Sequence, residues 1–180
     1  MPDPEQQMSL GALEEHDAFR REEVRFQKSV TTAQQQADSV IARYAAVRKA
    51  VEAAKDKVTP ALNEQLSGIE RELNAFVREV GASAASRSAL APRAGAVPAD
   101  DEDNENRGAS GAPDMSFSGR AGTLNSVLNS TFPVARAQRE LVTQLRRQLV
   151  TEEGKLRAVS ESSLPDFVKA LEAAGVTVAK

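Results

Sequence analysis

The sequence has no cysteine and no tryptophan, and only 4% of its residues are aromatic. Without cysteine the chain has no disulfide, no thiolate metal ligand and no cysteine nucleophile, although this absence does not indicate a compartment. Because aromatic residues are scarce, any core must consist mostly of alanine, valine and leucine, which suits helices packed along narrow apolar faces. The single histidine, His16, limits histidine-assisted catalysis to one position.

Long apolar runs are also absent, since no stretch approaches the roughly 18 residues that a membrane-spanning helix needs. The first sixteen residues do not place a basic segment before an apolar one, so we expect no secretory signal there. The 23 basic and 26 acidic residues are interspersed, which argues against a nucleic-acid-binding surface. The length of 180 residues is typical of one domain, with or without a flexible insert.

What the sequence does contain is helical periodicity. We use the term seam for a row of apolar or small residues spaced alternately four and three residues apart, which marks the buried face of a packed helix. The first seam predicts a helix that begins at Leu10, after Ser9 as N-cap, and extends to Val58. Its members are Phe26, Val30, Ala33, Ala37, Val40, Tyr44, Val47, Val51, Ala54 and Val58.

A second helix is predicted to begin at Pro60, because Thr59-Pro60 combines an N-cap residue with a first-turn proline. Its seam consists of Leu62, Leu66, Ile69, Leu73, Phe76 and Val80, and Gly81 follows as a natural stop. We favour an antiparallel hairpin of these two helices. A single long helix kinked at Pro60 is the alternative.

Residues 82–116 show no periodicity and contain an acidic run, Asp100 to Glu105, so they are predicted to be a disordered linker. A short helix from Arg120 to Ser130 and a proline-led helix from Pro133 to about Val159 are predicted to follow. A last short helix starts at Ser163-Leu164-Pro165 and stops at Gly175. The predicted seam of the proline-led helix is Val134, Ala137, Leu141, Leu145, Leu149, Leu156 and Val159, weakened at Glu152 and Gly154.

Because no seam can be buried within its own helix, the pattern predicts an all-α fold. The expected architecture is an up-and-down four-helix bundle of two antiparallel helical hairpins joined by a long disordered linker. Residues 1–81 form the N-terminal hairpin, 82–116 the linker, and 117–180 the C-terminal hairpin that packs on the first.

Candidate chemical sites are few. His16 lies among carboxylates, but a surface histidine is favoured over a metal ligand, because a two-metal bundle needs histidines on two helices. The run from Asp101 to Glu105 is similar to a calcium loop, yet Asn106 and Ala112 stand where glycine and glutamate are required. No Gly-x-Ser-x-Gly motif or phosphate-binding glycine loop occurs. We therefore predict no catalytic, cofactor-binding or metal-binding residue, no cofactor and no enzymatic activity.

The order of segments is similar to a known family. An opening Asp3-Pro4 with Ser9 and two long helices precedes a low-complexity stretch, then Leu-Asn-Ser-Val-Leu-Asn at 124–129 and Ser-Leu-Pro-Asp-Phe-Val-Lys-Ala-Leu-Glu-Ala-Ala-Gly at 163–175. This order resembles the helical C-terminal region of bacterial sortilin-like, BNR-repeat β-propeller proteins, which are related to glycosyl hydrolases. The propeller itself is missing from this sequence.

The resemblance implies a non-catalytic helical accessory domain that contacts a β-propeller supplied in cis or in trans. It also implies an exported, extracytoplasmic parent protein. The alternative is a stand-alone coiled-coil adaptor of the phasin kind, which would form homo-oligomers through the seam between Phe26 and Val58. An exposed seam would bind a partner helix, but burial within the chain's own core is favoured.

Overall fold

The computed structural model describes residues 10–91, 117–128 and 134–178, and the regular secondary structure in these ranges is entirely helical. The predicted all-α class is therefore confirmed. The elements are α1 (Leu10–Ala53), a 3₁₀ turn (Lys55–Lys57), α2 (Pro60–Glu79), α3 (Ala84–Ala89), α4 (Phe117–Leu128), α5 (Arg136–Ala158), a π-helical turn (Val159–Ser163) and α6 (Leu164–Ala173).

The boundary between α1 and α2 follows the local sequence signals. The hydroxyl oxygen of Thr59 accepts a hydrogen bond from the Leu62 amide at 3.3 Å, and Pro60 occupies the first turn of α2, as predicted. However, α1 ends at Ala53, and the 3₁₀ turn takes up the residues before Val58. The predicted end of α1 at Val58 is therefore too late, because the chain must tighten to reverse direction.

Two hydrogen bonds show that α1 and α2 are antiparallel. The Tyr44 hydroxyl donates to Glu70 Oε2 at 2.6 Å, and Gln34 Nε2 donates to the Val80 carbonyl at 2.8 Å. The Gln34 contact satisfies a carbonyl that the helix end leaves without an internal partner. The next residue, Gly81, has φ +94°, and a Cβ there would lie 3.1 Å from Gln34 Nε2, so glycine is required at this stop.

The predicted seams of α1 and α2 are buried except at Ala54 and Val58, the last two members of the first seam, which are only partly buried. From Phe26 to Val51 and from Leu62 to Val80, each seam residue has at most 8% of its surface exposed. In α5 the prediction needs correction, because Ala137 is exposed and Val142, which was not predicted, is buried. The observed α5 row is Val142, Leu145, Leu149, Glu152, Leu156 and Val159, so Glu152 occupies a seam position.

The linker prediction is wrong for its first residues, since α3 folds back along α1. Asp38 accepts hydrogen bonds from the Ser83 amide at 3.0 Å and from the Ser86 hydroxyl at 2.6 Å, and these bonds lower the pKa of the Asp38 carboxyl. Arg48 donates to the Ala89 carbonyl at 3.0 Å at the other end of α3. A carboxylate at the helix start and a guanidinium at its end both suit the helix dipole. The predicted disorder of residues 92–116 lies outside the described residues.

The direction of the C-terminal helices differs from the predicted up-and-down arrangement. Arg139 pairs with Glu15 at 2.6 Å and Arg146 pairs with Glu22 at 2.6 Å, so both partners advance in the same direction. Helices α1 and α5 are therefore parallel, whereas an up-and-down order of four helices places the first and the last antiparallel. A connection as long as residues 92–116 allows either direction, because loop closure depends weakly on loop length.

Helix α4 lies beyond the end of α2 and packs along α1 and α5. Gln148 of α5 donates to Glu79 at the end of α2 (3.1 Å) and accepts a hydrogen bond from Arg120 near the start of α4. Only residues 129–133 separate α4 from Val134, so the end of α4 must lie near the start of α5. Helix α4 is thus antiparallel to α5. The buried residues of both halves form a single hydrophobic cluster.

Candidate interaction site

The sequence predicted that α5 ends before Ser163. Instead, α5 continues into α6 through the π-helical turn. Ser163 has helical backbone angles and makes no capping hydrogen bond, so the predicted start of a separate helix at Ser163 is wrong. The Leu164 amide donates to the Val159 carbonyl, five residues earlier. Pro165 has no amide hydrogen, and the wider turn absorbs this missing donor without breaking the helix.

A groove lies beside this turn, between α2 and α6. Its volume is about 340 Å³, near the lower end of the range of about 300–1,000 Å³ that is usual for ligand sites. The buried side chains of Ile69 and Phe167 provide apolar surface in the groove. Glu72 and Asp166 contribute carboxylates to the same groove, so its lining combines apolar surface with acidic side chains, of which Asp166 pairs with Lys169 at 3.0 Å.

Gly68 contributes to the open space of this groove. A methyl group added to Gly68 would meet no heavy atom within 4 Å, so no close packing requires glycine here. Glycine inside a helix costs about 1 kcal/mol relative to alanine, because the unfolded chain gains freedom. The groove therefore stays open at a position where a larger residue would stabilise α2.

A second groove lies on the other side of the π-helical turn, between α1 and α5, and has a volume of about 400 Å³. It is lined by charges of both signs, with Arg43 and Arg157 opposite in charge to Glu153 and Glu161. This mixed polar lining selects for no one ligand charge. The α2–α6 groove is the better-defined candidate because its side-chain charges have one sign.

Of the residues that the sequence singled out as candidate metal ligands, the structure describes His16. His16 lies half-buried on α1, and residues 10–91, 117–128 and 134–178 contain no group of three or more potential metal-ligating side chains. The acidic run from Asp101 to Glu105 lies outside the described residues. Within the same ranges, no helix has the length and apolar character needed to cross a membrane.

Comparison of the chain with protein-family models, curated proteins and solved structures finds no match. The resemblance to sortilin-like, BNR-repeat proteins therefore stays a prediction that depends on the order of segments alone.

Sequence reasoning missed a buried carboxyl in α1. Glu23 is 0% exposed, and neither carboxyl oxygen has a hydrogen-bond partner among the residues that the structure describes. Burial raises the pKa of Glu23, and the nearby Gln27 amide and Arg20 guanidinium offset only part of this effect. The signal for its burial was present, because the spacing from Phe19 to Glu23 to Phe26 extends the first seam towards the N-terminus.

Proposed function

We propose that this chain is a non-catalytic helical scaffold that binds another protein through the α2–α6 groove. The observation that carries this proposal is a groove with apolar surface from Ile69 and Phe167 and carboxylates from Glu72 and Asp166. A lysine or arginine side chain matches this lining. Its aliphatic stem would lie against the apolar surface while its charge meets the carboxylates.

The two halves of the chain are proposed to act as one four-helix unit with residues 92–116 as a linker. Support comes from the ion pairs between α1 and α5 and from the shared hydrophobic cluster. A shared core would hold α2 and α6 in fixed relation, which the groove between them requires. The rigidity of such a core would reduce the entropy lost when a partner binds.

The proposed partner is a β-propeller of the sortilin-like, BNR-repeat class, in cis or in trans. This assignment depends on the resemblance in segment order, and the groove adds that the contacting propeller segment carries a basic residue. The helical chain would then be an accessory domain, and any carbohydrate chemistry would belong to the propeller.

The test replaces Gly68 with arginine in the full chain and measures binding to a purified BNR-repeat propeller by calorimetry. The new side chain would occupy the groove and meet Glu72 and Asp166 itself, so we expect a Kd at least about tenfold weaker, equivalent to about 1.4 kcal/mol. Gly154→Arg is the matched control, because Gly154 is also an open helical glycine but does not line the groove. Absence of propeller binding, or equal binding by both variants, would contradict the proposal.

The alternative is a self-associating coiled-coil adaptor. The seam of α1 is buried by other helices of the same chain, which weighs against self-association through that surface. Sedimentation distinguishes the two functions. A monomer over a wide concentration range supports the scaffold with a separate partner, and a concentration-dependent dimer supports the adaptor.

A further inference from the structure

Glu23 lies on the buried face of α1, one turn before the contact between Phe26 and Phe117 of α4. Consecutive helical residues differ by about 100° around the helix axis, and the preceding residue, Glu22, reaches Arg146 on α5. Phe26 is one turn beyond Glu23, and its ring centroid lies 6.0 Å from that of Phe117 at the start of α4. The carboxyl of Glu23 therefore lies on the side of α1 that α4 covers.

The described buried face of α4 consists of apolar and small residues. Phe117, Ala121 and Leu124 have spacings of four and three residues, which places them on one face of the helix, and each is buried. None of them has a side-chain donor for a carboxylate. Next to Glu23, the side-chain nitrogen of Gln27 is also buried without a hydrogen-bond partner among the described residues, and its proximity offsets the raised pKa of Glu23 only in part.

The surrounding charges do not neutralise Glu23. Arg20 of α1 is the cation that acts on it, and this charge only partly offsets the effect of burial on the pKa of Glu23. On α5, Arg146 is paired with Glu22 at 2.6 Å. On α4, Arg120 donates to Gln148. An ionised carboxylate without a partner is costly to bury, whereas a protonated carboxyl is not.

We propose that Glu23 is a proton-controlled latch: α4 docks on α1 and α5 while the Glu23 carboxyl carries a proton, and α4 leaves when the carboxyl is ionised. Undocking hydrates the carboxylate and uncovers Phe26 together with the neighbouring apolar surface of α5. The proposal is independent of the α2–α6 groove and of any propeller partner.

The pH dependence follows from linkage. Because burial raises the pKa of Glu23 above its ordinary value of 4.5, docking is strongest below that value and weakens as the pH rises towards the raised pKa. Within this window the docking equilibrium falls by about tenfold for each pH unit, since one proton is lost. Acidification from neutral pH is therefore expected to tighten α4.

Hydrogen exchange of the α4 amides in the full chain tests the latch. After correction for the intrinsic exchange rate, protection of residues 117–128 is expected to fall by about tenfold per pH unit between the ordinary pKa of glutamate and the raised pKa of Glu23, while protection of α2 stays constant. Glu23→Gln, which has nearly the same shape but no charge, is expected to abolish this dependence and raise α4 protection at pH 7.5.

Glu22→Gln is the control, because Glu22 is the neighbouring carboxylate but faces α5; it should leave the pH dependence of α4 intact. Equal protection of wild-type α4 from pH 5 to pH 8 would overturn the proposal without the use of any variant. An unchanged pH dependence in Glu23→Gln would also overturn it, because the titrating group would then be another residue.

Discussion

Two glutamates, Glu23 in α1 and Glu152 in α5, occupy seam positions where the helical pattern calls for an apolar residue. Glu152 is 6% exposed and accepts a hydrogen bond from Lys155 at 2.7 Å, and the Lys155 side chain is 62% exposed. Glu23 has no exposed surface, and within the described part of the chain its carboxyl oxygens have no hydrogen-bond partner. The same residue type at the same kind of position therefore differs in the free-energy cost of burial, because only the Glu152 carboxylate makes an ion pair with a lysine.

If both glutamates belong to one core, the two halves of the chain unfold together. The substitutions with the largest predicted effect on stability test this. Ile69→Ala and Leu145→Ala should each lower the free energy of unfolding by roughly 2–5 kcal/mol, because each loses buried apolar surface and leaves a cavity. Because Ile69 lies in α2 and Leu145 in α5, each variant should shift the same single transition in urea unfolding. Two separable transitions, with each variant affecting only one, would show that the halves fold independently.

The next effect compares the two carboxyls directly. Glu23→Leu should raise the free energy of unfolding at pH 7 by about 1–3 kcal/mol, because it removes a buried group without a partner. Glu152→Leu should change it by less than about 1 kcal/mol, because it removes a carboxylate whose ion pair roughly offsets its desolvation. Urea unfolding of both variants provides the measurement, and similar values for both would remove the distinction.

The smallest effect concerns a third carboxyl, Asp38, whose environment is opposite to that of Glu23. Its bonds to Ser83 and Ser86 lower its pKa, so the stability that it contributes is present above its ordinary value of 3.8 and lost as the pH falls through the lowered pKa. Asp38→Ala should loosen α3 by about 0.5–1.5 kcal/mol. Hydrogen exchange of residues 84–89 measures this loss, and unchanged protection would mean that Arg48 alone holds α3.

Much of the first hairpin was predictable, and the reason is local. The seams of α1 and α2, the Thr59-Pro60 boundary and the Gly81 stop all depend on residues within about one helical turn of each other. Helix α3 was missed because its six residues are too few to show periodicity, although Ser83 is a standard N-cap. The candidate groove was missed because its sides come from α2 and α6, which are far apart in the sequence.

The sequence by itself determined that this protein is helical and which face of α1 and α2 is buried, because helical periodicity is a property of neighbouring residues. Only the tertiary structure decided that α5 runs parallel to α1, that α5 continues into α6, and that Glu23 lies beneath α4. Helix direction depends on which seams fit together after a long connection, and the cost of a buried carboxyl depends on the partners that distant helices bring to it.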